Sequence, residues 1–191
     1  MFKVSPPASS LIRLLLWMTL IAVPIDQWTK ATSRELYLFH EDQTDSTIYQ
    51  GKRQDVFNLG NHDTWLTCNL TYVRNHGASW GIMAQLSDRY RRPVLITLGV
   101  ILAVLLFQMA LTLQKSGQTR AAVSLVVMVV GSFGNLIDRI RWGYVVDFVT
   151  LKAGFFGRTI TLPTFNIADI IIVLGLFCLI INLMSKKPSA S

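Results

Sequence analysis

The sequence predicts an all-α integral membrane protein, four transmembrane helices carrying a small β-rich region outside the membrane. Three observations predict it. Apolar residues make up 51% of the 191 residues and charged ones only 15%, with a mean hydropathy of +0.42, a balance rare in soluble domains. Four apolar stretches approach the roughly 20 residues that a helix needs to cross a bilayer core of about 30 Å. The polar residues between them gather into two segments, 31–92 and 141–164. The whole of 1–191 therefore reads as a single membrane-embedded domain.

The first span runs from Leu11 to about Lys30, with Arg13 at its start and Asp26 near its end. It is not read as a cleaved leader, because Pro24, Asp26, Gln27 and Lys30 stand where a small-residue cleavage site belongs. The second span, Pro93 to Leu113, carries no charge, and the third, Ala121 to about Ile140, is apolar until Asn135, Asp138 and Arg139. The fourth, about Phe165 to Met184, has Asn166 and Asp169 in its first turns. Between spans one and two, Val56, Phe57, Trp65, Leu66, Leu70, Tyr72 and Val73 favour short strands, with a turn at Asn58-Leu-Gly-Asn61. Between spans three and four, Tyr144 to Leu151 and Arg158 to Leu162 predict a hairpin turning through Ala153 to Gly157.

The formal charge of +7 is scattered along the chain, which excludes a nucleic-acid-binding element and fits basic span flanks. Two cysteines, Cys68 and Cys178, are too few for a disulfide framework. Lys and Arg are more numerous on the side of the long loops. A positive-inside count would therefore place both termini outside, but the first loop is about as long as the rule tolerates, so composition leaves orientation open.

Orientation is not needed to see where the acids go. In a four-span chain the ends of spans one and three and the start of span four share one face, so Asp26, Asn135, Asp138 and Asp169 meet there, with Asp147 in the adjoining loop. An ionisable group at membrane depth costs about 3 kcal/mol or more unless it has a partner or a wet cavity. No phosphate-binding glycine loop, paired-His helix motif or Cys-x-x-Cys is present. His40, His62 and His76 lack metal-ligand spacing, which points to solvated or loop-packing roles. Ser132 has no nearby His to activate it. Carboxylates remain, and two of them sharing one proton can act as general base and general acid together. Asp26 has Lys30 four residues on, and Asp138 is followed by Arg139 and stands near Asn135, so both read as internally compensated. Asp147 and Asp169 have no basic residue within four positions and sit among apolar neighbours, so they are the expected pair.

Five segments carry a resemblance: Asp26-Gln-Trp-Thr-Lys30, Arg74-Asn-His-Gly-Ala78, Gly134-Asn-Leu-Ile-Asp-Arg139, Gly143-Tyr-Val-Val-Asp-Phe148 and Phe165-Asn-Ile-Ala-Asp169. In this order and spacing the set closely resembles the bacterial signal peptidase II family. The resemblance implies a four-helix aspartyl peptidase of the bacterial inner membrane that removes signal peptides from diacylglyceryl-modified prolipoproteins, just before the lipidated cysteine. It makes Asp147 and Asp169 the catalytic dyad. It also implies fold-supporting or substrate-binding roles for Asp26, Lys30, Asn75, Gly77, Arg139, Asn166 and Ala168, with Asn135 and Asp138 lining the site. It places both termini in the cytoplasm and the long loops outside. The expected partners are the lipidated precursor and membrane lipid, with no nucleic acid, no metal and no organic cofactor; the expected state is a monomer. The chain departs from the family in a longer, more polar stretch from Ala31 to Thr71 and in Trp80, where Phe is commoner. Two other classes compete with this reading. A transporter or proton relay predicts acids at mid-span or at both faces, and a structural membrane protein has no need of two uncompensated acids.

Overall fold

A computed structural model of the chain describes residues 8–38, 54–61, 63–77, 83 and 87–185. His40, His62, Ala78 and Trp80 lie outside the described residues, as does much of the 31–71 stretch. The helices are α1 (Ala8–Leu38), α2 (Asp88–Lys115), α3 (Thr119–Trp142) and α4 (Ile167–Met184). The strands are β1 (Gln54–Gly60), β2 (Thr64–Asn75), β3 (Val145–Phe155) and β4 (Arg158–Thr161). All four helices are long and apolar enough to cross a membrane. Two run further than the apolar stretches suggest: α1 continues to Leu38 and α2 begins at Asp88. Hydropathy marks where a helix can meet lipid, whereas the backbone ladder continues through charged turns on either side.

The chain forms two compact units. The first takes residues 1–26, 97–136 and 167–191. Its core is Leu11, Ala110, Ala122, Leu125, Val126 and Val130, while Leu98, Leu105, Phe177 and Leu183 face outward. Large apolar side chains outside and small ones between helices suit a lipid solvent, where close packing replaces hydrophobic collapse as the drive for association. A Cβ on Gly131 would stand 2.7 Å from the Ala168 carbonyl oxygen, and one on Gly175 would stand 2.8 Å from the Ser124 carbonyl oxygen. The glycines therefore set how closely α3 and α4 approach.

The second unit, residues 27–96 and 137–166, contains an antiparallel sheet in the order β1-β2-β3-β4. Asn61 Oδ1 accepts from the backbone N–H groups of Asp63 (3.0 Å) and Thr64 (2.9 Å), closing the first hairpin after Gly60. The β3–β4 hairpin forms as expected with a tighter turn, since Phe156 and Gly157 both take positive φ (43° and 78°). Two left-handed residues are what a two-residue hairpin needs to match the strand twist. The β2–β3 pairing runs from Thr64↔Phe155 to Asn75↔Val145 and is interrupted by a bulge between Leu70 and Val73. Past the bulge Val73 faces Asp147 and Asn75 faces Val145, so Asn75 and Asp147 are diagonal neighbours on one face. Phe165 closes the far side, its carbonyl accepting from Phe148 N (3.1 Å) and Val149 N (2.9 Å). That bridge brings Asn166 back to β3.

Candidate active site

In the sheet unit, Asp147 is buried and accepts two amide hydrogen bonds, from Asn75 Nδ2 at 2.9 Å and from Asn166 Nδ2 at 2.7 Å. Both donors are themselves held. Asn75 Oδ1 accepts from Gly77 N at 3.1 Å, and the Gly77 carbonyl accepts from Arg139 Nη2 at 3.3 Å. Asn166 Nδ2 also reaches the Val146 carbonyl at 3.2 Å. Locked donors fix the direction in which the carboxylate presents its oxygens, which a reaction needs from a catalytic acid.

One residue away along β3, the Val146 backbone N–H donates to Asp138 Oδ2 at 3.2 Å. Asp138 also forms an ion pair with Lys30 Nζ at 2.9 Å and accepts from Gln27 Nε2 at 2.8 Å. The compensation expected from Arg139 is supplied by Lys30 instead. Neighbouring residues on a helix point about 100° apart, so Asp138 and Arg139 cannot share a face, whereas the long Lys30 arm reaches across. Lys30 and Asp138 are both nearly inaccessible, and a buried charge is tolerable only with such a partner. Gln27 was not singled out from the sequence. Its signal was available, because Gln27 and Lys30 lie three apart on one helical face.

The helical unit holds the other two acids. Asn135 Nδ2 donates to Asp169 Oδ1 at 2.7 Å, linking α3 to α4. Asp26 Oδ1 accepts from the Ala168 N–H at 2.9 Å and so caps the first turn of α4 from another helix. The first N–H groups of a helix lack internal partners and carry partial positive charge, which favours a buried carboxylate there. Gly134 leaves room for this, since a Cβ at that position would overlap the Asp26 carboxylate. Ser132 Oγ donates back to the Val129 carbonyl at 2.7 Å, as a structural helix serine does.

His76 takes the packing role expected of it. Arg91 Nη2 lies 3.0 Å from its Nδ1, and because a guanidinium only donates, Nδ1 is the acceptor and the ring is neutral. Burial, then the positive charges of Arg91 and Arg74, lower its pKa below the usual imidazole value. Burial, followed by a hydrogen bond to Tyr144, pushes the Tyr72 hydroxyl up to about 12.

Four helices long and apolar enough to cross a membrane, in a chain whose two units each hold an aspartate by asparagine side chains, define a multi-pass membrane protein. The family description "Signal peptidase (SPase) II" matches residues 18–185, and the chain belongs to that family. It is 31% identical to a lipoprotein signal peptidase of Anaeromyxobacter sp., over 92% of this chain and 85% of the relative. It is 29% identical to one from Haemophilus ducreyi, over 92% of this chain and 94% of the relative. A solved bacterial membrane enzyme is also similar, with a TM-score of 0.57 and 25% identity, covering 94% of this chain and 96% of that one.

Proposed function

We propose that the chain removes signal peptides from diacylglyceryl-modified prolipoproteins as one membrane-embedded aspartyl endopeptidase, with Asp147 and Asp169 as its dyad. The observation that carries the assignment is a division among four aspartates. Among the contacts described above, Asp138 pairs with Lys30 and Asp26 accepts from a helix end, whereas Asp147 and Asp169 accept from asparagine side chains. Asparagine side chains orient a carboxylate by donating to its oxygens and bring no countercharge of their own.

The chemistry follows from that arrangement. One carboxylate removes a proton from water, whose oxygen adds to the scissile carbonyl carbon. The other, protonated, donates to the carbonyl oxygen. Collapse of the tetrahedral intermediate breaks the C–N bond: the nitrogen leaves with the proton first taken from water, and the diol returns the donated proton to the second carboxylate. Asn75, Asn166 and Asn135 hold the acids in place, and no metal or organic cofactor enters. Asp26, Lys30, Asp138, Arg139, Gly77 and Ala168 keep the surrounding elements in register.

In this reading both termini are cytoplasmic, the sheet lies outside, and the enzyme works as a monomer. The precursor's acyl chains stay in lipid while the bond before the modified cysteine reaches the acids. Burial of about 0.8 kcal/mol per CH₂ makes lipidation a large part of recognition. The test compares initial rates on lipidated and unlipidated forms of one precursor, in one detergent, with wild type and with Asp147→Asn and Asp169→Asn. Rapid cleavage of only the lipidated form by wild type is expected. Equal rates on both forms would remove lipid-dependent selection, and an active variant would remove that residue from the dyad.

A further inference from the structure

Within the sheet unit, three arginines from three different helices converge on the C-terminal end of α3. Arg34 of α1 places its guanidinium carbon 4.4 Å from the centroid of the Trp142 ring, and Arg141 of α3 places its own at 5.2 Å. Arg92 of α2 donates to the Ile140 carbonyl and lies along Gly143, where an added Cβ would meet its Cδ at 3.4 Å. Among the described residues none of the three forms an ion pair with a carboxylate, although Glu35 follows Arg34 in sequence. Trp142 itself is 41% exposed, so the cluster is open to its surroundings.

Helix-end compensation explains only part of this arrangement. The terminal carbonyls of α3 carry partial negative charge that one cation satisfies, and Arg92 does so at Ile140. The other two cations both lie against one indole, within about 10 Å of each other and hence within roughly one Debye length at 0.1 M salt. Mutual repulsion at that range falls when an anion binds between them. The cluster also lies at the end of a membrane-length helix beside a tryptophan, where headgroups meet protein. Planar guanidiniums match phosphate oxygens in geometry as well as in charge.

We propose that Arg34, Arg92 and Arg141, gathered around Trp142, bind the phosphate of an anionic phospholipid headgroup. This site gives the excess of Lys and Arg on the side of the long loops a physical role, and it is independent of which acids do the chemistry.

Purified full-length protein in neutral detergent is titrated with phosphatidylglycerol, with phosphatidylcholine of the same acyl chains, and with inorganic phosphate, and bound lipid is read by native mass spectrometry. An arginine near an anionic surface contributes about fivefold in affinity. Wild type should therefore hold phosphatidylglycerol at least about fivefold more tightly than phosphatidylcholine. Arg34→Gln/Arg141→Gln should abolish that preference, and Arg120→Gln, at the opposite end of α3, should keep it. The wild-type preference should also weaken as salt shortens the Debye length. An absent or salt-insensitive preference in wild type overturns the proposal with no variant needed. So does a preference retained by the double variant. Displacement of the lipid by inorganic phosphate would overturn the lipid as the source of the anion.

Discussion

Asp138 and Asp147 are buried to the same degree, lie in one unit, and are joined through the two faces of a single peptide residue, yet their surroundings differ in kind. Val146 donates its N–H to Asp138 and offers its carbonyl to Asn166, the residue that also holds Asp147. Asp138 forms an ion pair with Lys30, which ties α1 to α3. Asp147 accepts from two asparagines, which fix the direction of its oxygens. Burial alone therefore does not separate the two acids. The identity of the partners described for each does.

The largest effect expected from this contrast is on turnover. Asp169→Asn keeps an oxygen for Asn135, whereas Asp147→Asn keeps one for only one of its two asparagine donors, so melting temperature should hold in the first and drop by a few degrees in the second, while both rates fall by about 100- to 10,000-fold. Turnover of a lipidated precursor in detergent measures it, and a rate within tenfold of wild type would break the comparison.

Asp138→Ala should act on stability instead, at about 3–5 kcal/mol, because it removes the carboxylate from a buried ion pair with Lys30. Replacing both partners, Lys30→Met with Asp138→Asn, should restore part of that loss, since removing a whole buried pair costs less than halving it. Thermal unfolding of the three variants checks the order. A well-folded, fully inactive Asp138→Ala would move that residue into the catalytic pair.

Asn166→Ala should lie between these cases, removing bonds to both Asp147 and the Val146 carbonyl for about 1–3 kcal/mol. Its turnover should fall by roughly tenfold while melting shifts by a few degrees. Asn75→Ala should behave similarly, and loss of stability with unchanged turnover in either would assign it to the fold alone.

The smallest effect expected is a pH dependence at His76, which touches neither acid in the contacts described above. Its pKa is lowered in the folded state by burial and by Arg91 and Arg74, so the unfolded chain takes up the proton first. The stabilisation is complete above about pH 6.5, the ordinary imidazole value, and is lost as pH falls through the lowered one. Wild type should therefore lose more melting temperature than His76→Gln between neutral pH and about pH 5. Parallel curves would show that His76 does not report on this region.

The four spans, the two polar segments and the hairpin between α3 and α4 were legible because hydropathy, strand propensity and turn chemistry are local properties, read within one window of residues. The proposal of Asp147 and Asp169 as the pair rests on the same kind of local signal. The absence of Lys or Arg within four positions is visible in the chain itself. The ends of α1 and α2 were not, because charged turns extend a helix without extending its apolar run.

What the sequence by itself determined is which acids lacked a neighbouring cation and to which face the spans would carry them. Only the tertiary structure decided what each acid touches. Gln27 meets Asp138 across 111 residues, and Asp26 caps α4 across 142, pairings that no local pattern encodes. Sequence neighbours such as Asp138 and Arg139 point away from each other on a helix, and a bulge in β2 sets Asn75 diagonal to Asp147. Buried polar groups take whichever partner the packing of distant segments delivers, because leaving one unsatisfied costs more than any local preference.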